Sequence, residues 1–253
     1  MILQLMVIFL FFCSFAEGAV TFVVSGALAA NATTTTLNIV APTLNVDDIM
    51  IASILNKDNQ VVTAPANWTK FVQVNNTTAQ RLTLAWKRAI AGDSGATFSF
   101  TKPTDNNTLF CGNISVWRGA ITSGDPTTGA GTPTTSANAS SDTVSYASFD
   151  PLIACHAVAV GVYNDDLTTA GTISGSDPSL VNRWDLETAT GSDGSVFGYG
   201  GDSTGAATGA RSHITTSTAD GVNIGCLFGL EAAPASTTAV KDPIMDGVIP
   251  RAR

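Results

Sequence analysis

From Arg81 to Lys87 the chain reads Arg-Leu-Thr-Leu-Ala-Trp-Lys, so Leu82, Leu84 and Trp86 share one face of an extended segment and Arg81, Thr83 and Lys87 the other. This period of two predicts a strand with one buried and one wet face. Comparable runs cover residues 20–25, 35–41, 49–55, 71–74, 96–101, 109–117, 143–147, 152–163, 181–188, 195–199 and 222–230, separated by clusters of Gly, Asn, Asp, Pro and Thr. About a dozen strands of this kind predict two packed sheets, with Leu82, Leu84, Trp86, Trp117, Val158, Val160 and Phe228 in the core. Runs 109–117, 152–163 and 222–230 are apolar on both parities and rich in small residues, as expected of central strands covered on both sides. The polar stretches 121–142, 165–179 and 200–220 hold little that could be buried and are expected to be surface loops. No internal repeat and no second domain boundary is visible in the pattern.

Composition supports an all-β fold. Glutamate occurs only at Glu17, Glu187 and Glu231, while Thr, Ala, Gly, Ser, Asn and Asp abound, which excludes a mainly helical domain. The expected fold is a two-sheet antiparallel β-sandwich over residues 19–232, a size that all-β sandwiches reach as one domain. Twelve basic against twenty acidic residues give a formal net charge of −8, with no Lys/Arg cluster, so a nucleic-acid partner is disfavoured. Residues 1–15 are almost wholly apolar and Ala16-Glu17-Gly18 offers small residues for a signal peptidase, so residues 1–18 read as a signal-like segment too short to span a membrane comfortably. They lack a positively charged start, which leaves a misplaced start codon as the alternative. Residues 233–253, with Pro234, Pro243 and Pro250 and no period, read as an extended or disordered tail.

The candidate chemistry is sparse. Without residues 1–18 three cysteines remain, Cys111, Cys155 and Cys226, each inside one of the three most apolar runs and none at metal-ligand spacing; buried free thiols are expected. Gly201-Asp202-Ser203-Thr204-Gly205 matches Gly-x-Ser-x-Gly, and Gly92-Asp93-Ser94-Gly95 resembles a serine-protease nucleophile turn. A nucleophile elbow needs a helix after the serine, and a triad needs a base; the only histidines are His156, in an apolar run, and His213, in a polar stretch. Turn glycines explain both motifs, and no catalytic residue is assigned. Asp47-Asp48 and Asp165-Asp166 suit turn capping better than calcium, since no further acids sit at EF-hand spacing. No metal and no cofactor is expected. Sequons at Asn31, Asn67, Asn75, Asn76, Asn106, Asn113 and Asn138 are attributed to composition, Asn113 lying in an expected buried strand. Trp86 and Trp117 fall on apolar faces and Trp68 follows a Pro turn, whereas Trp184, between Arg183 and Asp185, is expected to be exposed and able to stack on a sugar ring. No other ligand-binding residue stands out.

Several segments, in order, resemble a widespread group of bacteriophage and prophage proteins described as virion or tail structural proteins. They are Val20-Thr21-Phe22-Val23, Asp48-Ile49-Met50, Ala64-Pro65-Ala66-Asn67-Trp68-Thr69, Leu84-Ala85-Trp86-Lys87-Arg88-Ala89, Val116-Trp117-Arg118-Gly119-Ala120 and the glycine-rich stretch 198–209. The resemblance spans most of residues 19–231 and implies a sandwich of jelly-roll kind without a known active site. The resulting expectation is a non-enzymatic structural protein of a virus particle, a capsid decoration or tail component at the virion surface. It would associate with itself, as a trimer for instance, and with other virion proteins. The alternative is a secreted carbohydrate-binding or adhesive module that recognises surface glycans, favoured by the signal-like start and Trp184.

Overall fold

Each half of the chain forms a long hairpin doubled over on itself. The computed structural model describes residues 19–76, 80–164, 171–173, 179–188, 194–214 and 221–234, residues 139 and 140 by backbone alone. The first half contains β1 (Thr21–Ser25), β2 (Ala29–Asn31), β3 (Thr36–Val40), β4 (Ile49–Asn56), β5 (Thr69–Asn76), β6 (Gln80–Arg88), β7 (Thr97–Thr101) and β8 (Phe110–Arg118). Antiparallel pairs nest: β1 and β2 with β8, β3 with β7, β4 with β6, and β5 at the tip against β6. Because β4 also pairs with β8, the main sheet runs β1-β8-β4-β6-β5 with β2 beside β8, and β3-β7 forms a separate ladder. Leu37, Ile39 and Phe100 of that ladder pack on Met50, Ala52, Ile54, Ala85, Ile114 and Val116 of the sheet. Nested pairs that alternate between two layers are the jelly-roll wrap.

The second half contains β9 (Thr134–Ser141), β10 (Thr143–Tyr146), β11 (Cys155–Tyr163), β12 (Val181–Thr188), β13 (Gly194–Ser203), β14 (Arg211–Ile214) and β15 (Gly221–Glu231). Its main sheet runs β12-β13-β11-β15-β9, with β10-β14 as the separate ladder. Putting β9 for β1 and β2, and β10 to β15 for β3 to β8, reproduces every pairing of the first half. The register shift recurs as well, between Lys70 and Val72 against β6 and between Asn182 and Trp184 against β13. The expectation of no internal repeat is therefore corrected: the chain is a structural duplication. Its invisibility in sequence follows from the register. Ile51 lies opposite Trp86 and Ser115, and its counterpart Val158 lies opposite Gly200 and Phe228. The halves share pairing and inside–outside pattern rather than side chains.

The two main sheets face each other, β1 over β12 and β5 over β9, as the antiparallel β-sandwich the pattern implied. Between them lie Leu82, Leu84, Trp117, Val158, Val160 and Phe228, all at 0% exposure, with Trp86 half-buried at the rim. A third cluster, including Phe149, Ala157, Ala159, Phe197 and Tyr199, fills the outer side of the second sheet beneath β10-β14. Four layers result, and they explain why β8, β11 and β15 are buried along almost their whole length, as their two-sided apolar character required. The expected wet face of residues 81–87 is not wet: Thr83 and Lys87 are buried under the β3-β7 ladder, where the Lys87 ammonium pairs with Asp93 and lies 5.2 Å from the Phe98 ring centroid. Stretches expected as loops also contain strands, namely β9, the end of β13 and β14. Polar strands are stable here because their side chains satisfy one another: Asn138 Nδ2 donates to Thr143 O (2.9 Å) and Asn223 Oδ1 (3.0 Å), and Asn223 Nδ2 to Ser141 O (3.0 Å). Residues 1–18, 77–79, 165–170, 174–178, 189–193, 215–220 and 235–253, including Asp165-Asp166, the signal-like segment and most of the tail, lie outside the described residues.

Candidate functional site

Antiparallel pairing sets Cys155 opposite Ser203 and His156 opposite Asp202. Successive residues of a strand point to opposite faces, so His156 and Asp202 share one face and Ser203 points to the other. His156 Nδ1 lies 2.7 Å from Asp202 Oδ1, an Asp–His pair of the kind that orients a catalytic base. The free end of this imidazole points the wrong way for catalysis. His156 Nε2 is buried without a hydrogen-bond partner, tucked under Gly200, and its ring centroid is 5.1 Å from that of Trp117. Burial lowers its pKa, the Asp202 carboxylate opposing and Arg183 assisting. Ser203 is itself buried, and its Oγ accepts a hydrogen bond from the backbone of Gly205 (3.4 Å) across a tight turn, where φ of +91° suits glycine. A nucleophile needs its base within hydrogen-bond reach, and His156 is on the far face of the sheet. A fluorophosphonate probe is accordingly expected to leave Ser203 unlabelled; labelling that disappears in Ser203→Ala, detected by mass spectrometry, would install a serine hydrolase here.

Gly200, expected with Gly201 to permit a tight turn, lies instead within a strand, and together with Gly198 in the run 195–199 it leaves room for rings. Gly198 and Gly200 lie in the middle of β13, and a Cβ on Gly198 would overlap the indole of Trp184 while one on Gly200 would press on Trp117 and His156. Trp184, expected to be exposed, is 4% exposed. Its ring sits between Phe22 (centroids 5.9 Å, stacked) and Trp117 (6.2 Å, edge-on). The register shift between Asn182 and Trp184 places the indole on the inner face, a bulge that no single-strand pattern discloses. Arg183, with its guanidinium carbon 5.8 Å from the Phe22 ring centroid, covers the rim.

His213, placed in a polar stretch by the sequence, instead belongs to β14 and is 2% exposed. Its ring centroid is 4.8 Å from that of Phe197, 5.4 Å from Tyr199 and 5.7 Å from Tyr146, whose hydroxyl lies 3.4 Å from Nδ1. Burial drives its pKa down to about 4, so the ring is neutral at physiological pH. The available signal was weak: in Arg211-Ser212-His213-Ile214 the buried positions are the charged and aromatic ones, against the usual polarity rule.

The remaining candidates are structural. Asp48 accepts from Asn45 N (2.8 Å) and from Arg118 Nε and Nη2 (2.8 and 2.7 Å), so it closes the turn before β4 and ties it to the end of β8. Among the described residues no three His, Cys, Asp or Glu side chains cluster as metal ligands would. Asn76 and Asn113 are buried, whereas Asn67, Asn75 and Asn106 are exposed. Cys111, Cys155 and Cys226 are buried free thiols, as anticipated. Burial pushes Cys111 and Cys155 up to about 12 and raises Cys226 as well. Because only the thiolate reacts, all three are expected to resist Ellman's reagent in the native protein and to react fully in denaturant. Fast native reaction would show that the sandwich opens. Comparison of the chain with protein families, with curated proteins and with solved structures gives no match.

Proposed function

We propose that this chain is a non-enzymatic structural component of a virus particle, a capsid decoration or tail protein. The observation that carries the reading is the duplicated jelly-roll wrap, two copies locked sheet to sheet through one core and each capped on its outer side. Jelly rolls recur in viral capsid and lectin domains, and a four-layer block holds its edges and loops in fixed relative positions, which repeated assembly demands. The sequence resemblance to virion proteins points the same way. The glycan-binding alternative loses its one aromatic candidate, since Trp184 is an internal ring. Assembly on a particle calls for self-contacts, and closed rings are the common solution; a homo-oligomer, for instance a trimer, follows. The test is location: in the source culture the chain should co-sediment with particles through a density gradient, and antibodies against it should decorate them in electron micrographs. Recovery only as free protein that is retained on a glycan array would replace this reading with the secreted one.

A further inference from the structure

The duplication allows one half to show what belongs in the other. In the first half β1 holds the end of β8, Thr21 to Ser25 pairing with Arg118 to Ser115. In the second half β9 pairs with β15 only as far as Leu227, and the chain that precedes it takes another course. Residues 126–131 leave the sheet edge and wedge between the end of β15 and the connection from β10 to β11: Glu231 N donates to Pro126 O (2.8 Å), Leu152 N donates to Ala130 O (3.2 Å), and Ala130 is 0% exposed in the outer core. Gly131 lies so close to Asp150 and Phe149 that a side chain would collide with them.

The equivalent place in the first half, between β1-β2 and the connection from β3 to β4, is an open groove of about 730 Å³. Residues 23–29 form one wall and residues 40–45 the other, with Arg118 at the end. Val40, more than half exposed, stands at its lip. From Val24 to Ala29 this wall runs beside Val116 to Gly112 of β8, roughly 13 Å at the rise of a strand, room for four or five extended residues. The first half cannot fill the groove in the way the second does, because the residues that match 129–133 by register are β1 itself, already paired to β8.

We propose that this groove binds an extended segment of a second polypeptide, built of small residues and carrying an acid at one end. The second half defines the chemistry: its plug is Asp-Pro-Thr-Thr-Gly-Ala-Gly, backbone-bonded and nearly without bulk. Charge complements it. Arg118, the counterpart of Glu231, stands at the end of the groove; its backbone is paired with Thr21, but its side chain is 46% exposed despite its pairing with Asp48, so an acid at that end of a seated segment meets the guanidinium. This is strand addition at a groove, in which main-chain hydrogen bonds supply affinity and small side chains supply fit. It extends the structural reading above but does not depend on it, since peptide binding can be present in a chain that never meets a virus particle.

The full chain with a synthetic peptide reproducing residues 125–133 is the test, followed by hydrogen–deuterium exchange. Millimolar peptide is expected to slow exchange at residues 23–29 and 40–45, and an Asp125→Asn peptide to bind about fivefold more weakly, as loss of one charge-assisted contact predicts. Val40→Arg, at an exposed position that leaves the core intact, is expected to abolish the protection. Unchanged exchange in both segments overturns the proposal, and so does protection that survives Val40→Arg. If the groove is already protected in the free chain and opens only when residues 1–18 are removed, the occupant is the chain's own N-terminal segment and the proposal is equally overturned.

Discussion

Gly198→Val is expected to destabilise the protein by about 4 kcal/mol, at the upper end of core overpacking. A side chain at this position meets the indole of Trp184. That ring cannot retreat, because Phe22 is stacked on one side and Trp117 stands edge-on at the other, in a sandwich where the flanking valines and leucines are fully buried. Thermal unfolding should fall by roughly 10 °C for a domain of this size, with a matching loss of near-ultraviolet circular dichroism from the tryptophans. The double variant Gly198→Val with Trp184→Ala should be more stable than the sum of the two single losses, since removing the indole relieves the clash and the valine fills part of the cavity the indole leaves. A melting temperature within about 2 °C of the parent would show that Trp184 is not seated on β13.

Acid is the second large lever. His213 takes up a proton at about pH 4 in the folded protein, against 6.5 in an unfolded chain. Between those values the unfolded state holds the extra proton, so its population grows as pH falls. Stability is therefore full above pH 6.5 and declines toward pH 4, by about 3 kcal/mol for this one residue at 1.36 kcal/mol per unit. His156, also lowered by burial, adds a loss of the same sign. Urea midpoints measured from pH 7 to pH 4 should fall accordingly, and His213→Phe, which keeps an aromatic ring among Tyr146, Phe197 and Tyr199, should remove most of the slope. A midpoint that does not change over this range in the parent protein would mean that His213 is protonated, or solvated, inside the fold.

Much of this architecture is local and so was legible in the sequence. Alternation is a property of a strand by itself, and the runs it marked became strands; two-sided apolar character marked β8, β11 and β15 as central, and cysteines in such runs had to be buried thiols. The turn role of Asp48 was readable from its place before a strand. What alternation cannot say is what lies against each face. Thr83 and Lys87 are polar yet buried because the β3-β7 ladder, formed by residues before and after β6, covers that face. Trp184 is internal because a bulge turns it inward and Gly198, on a different strand, leaves it room. Polar β9 and β14 became strands only through partners 65 to 93 residues away in the chain, such as Tyr146 with Arg211 and Asn138 with Asn223. The duplication and its groove belong to the same class: both are relations between distant pairings, which the same topology satisfies with unlike side chains, and tertiary structure alone decided them.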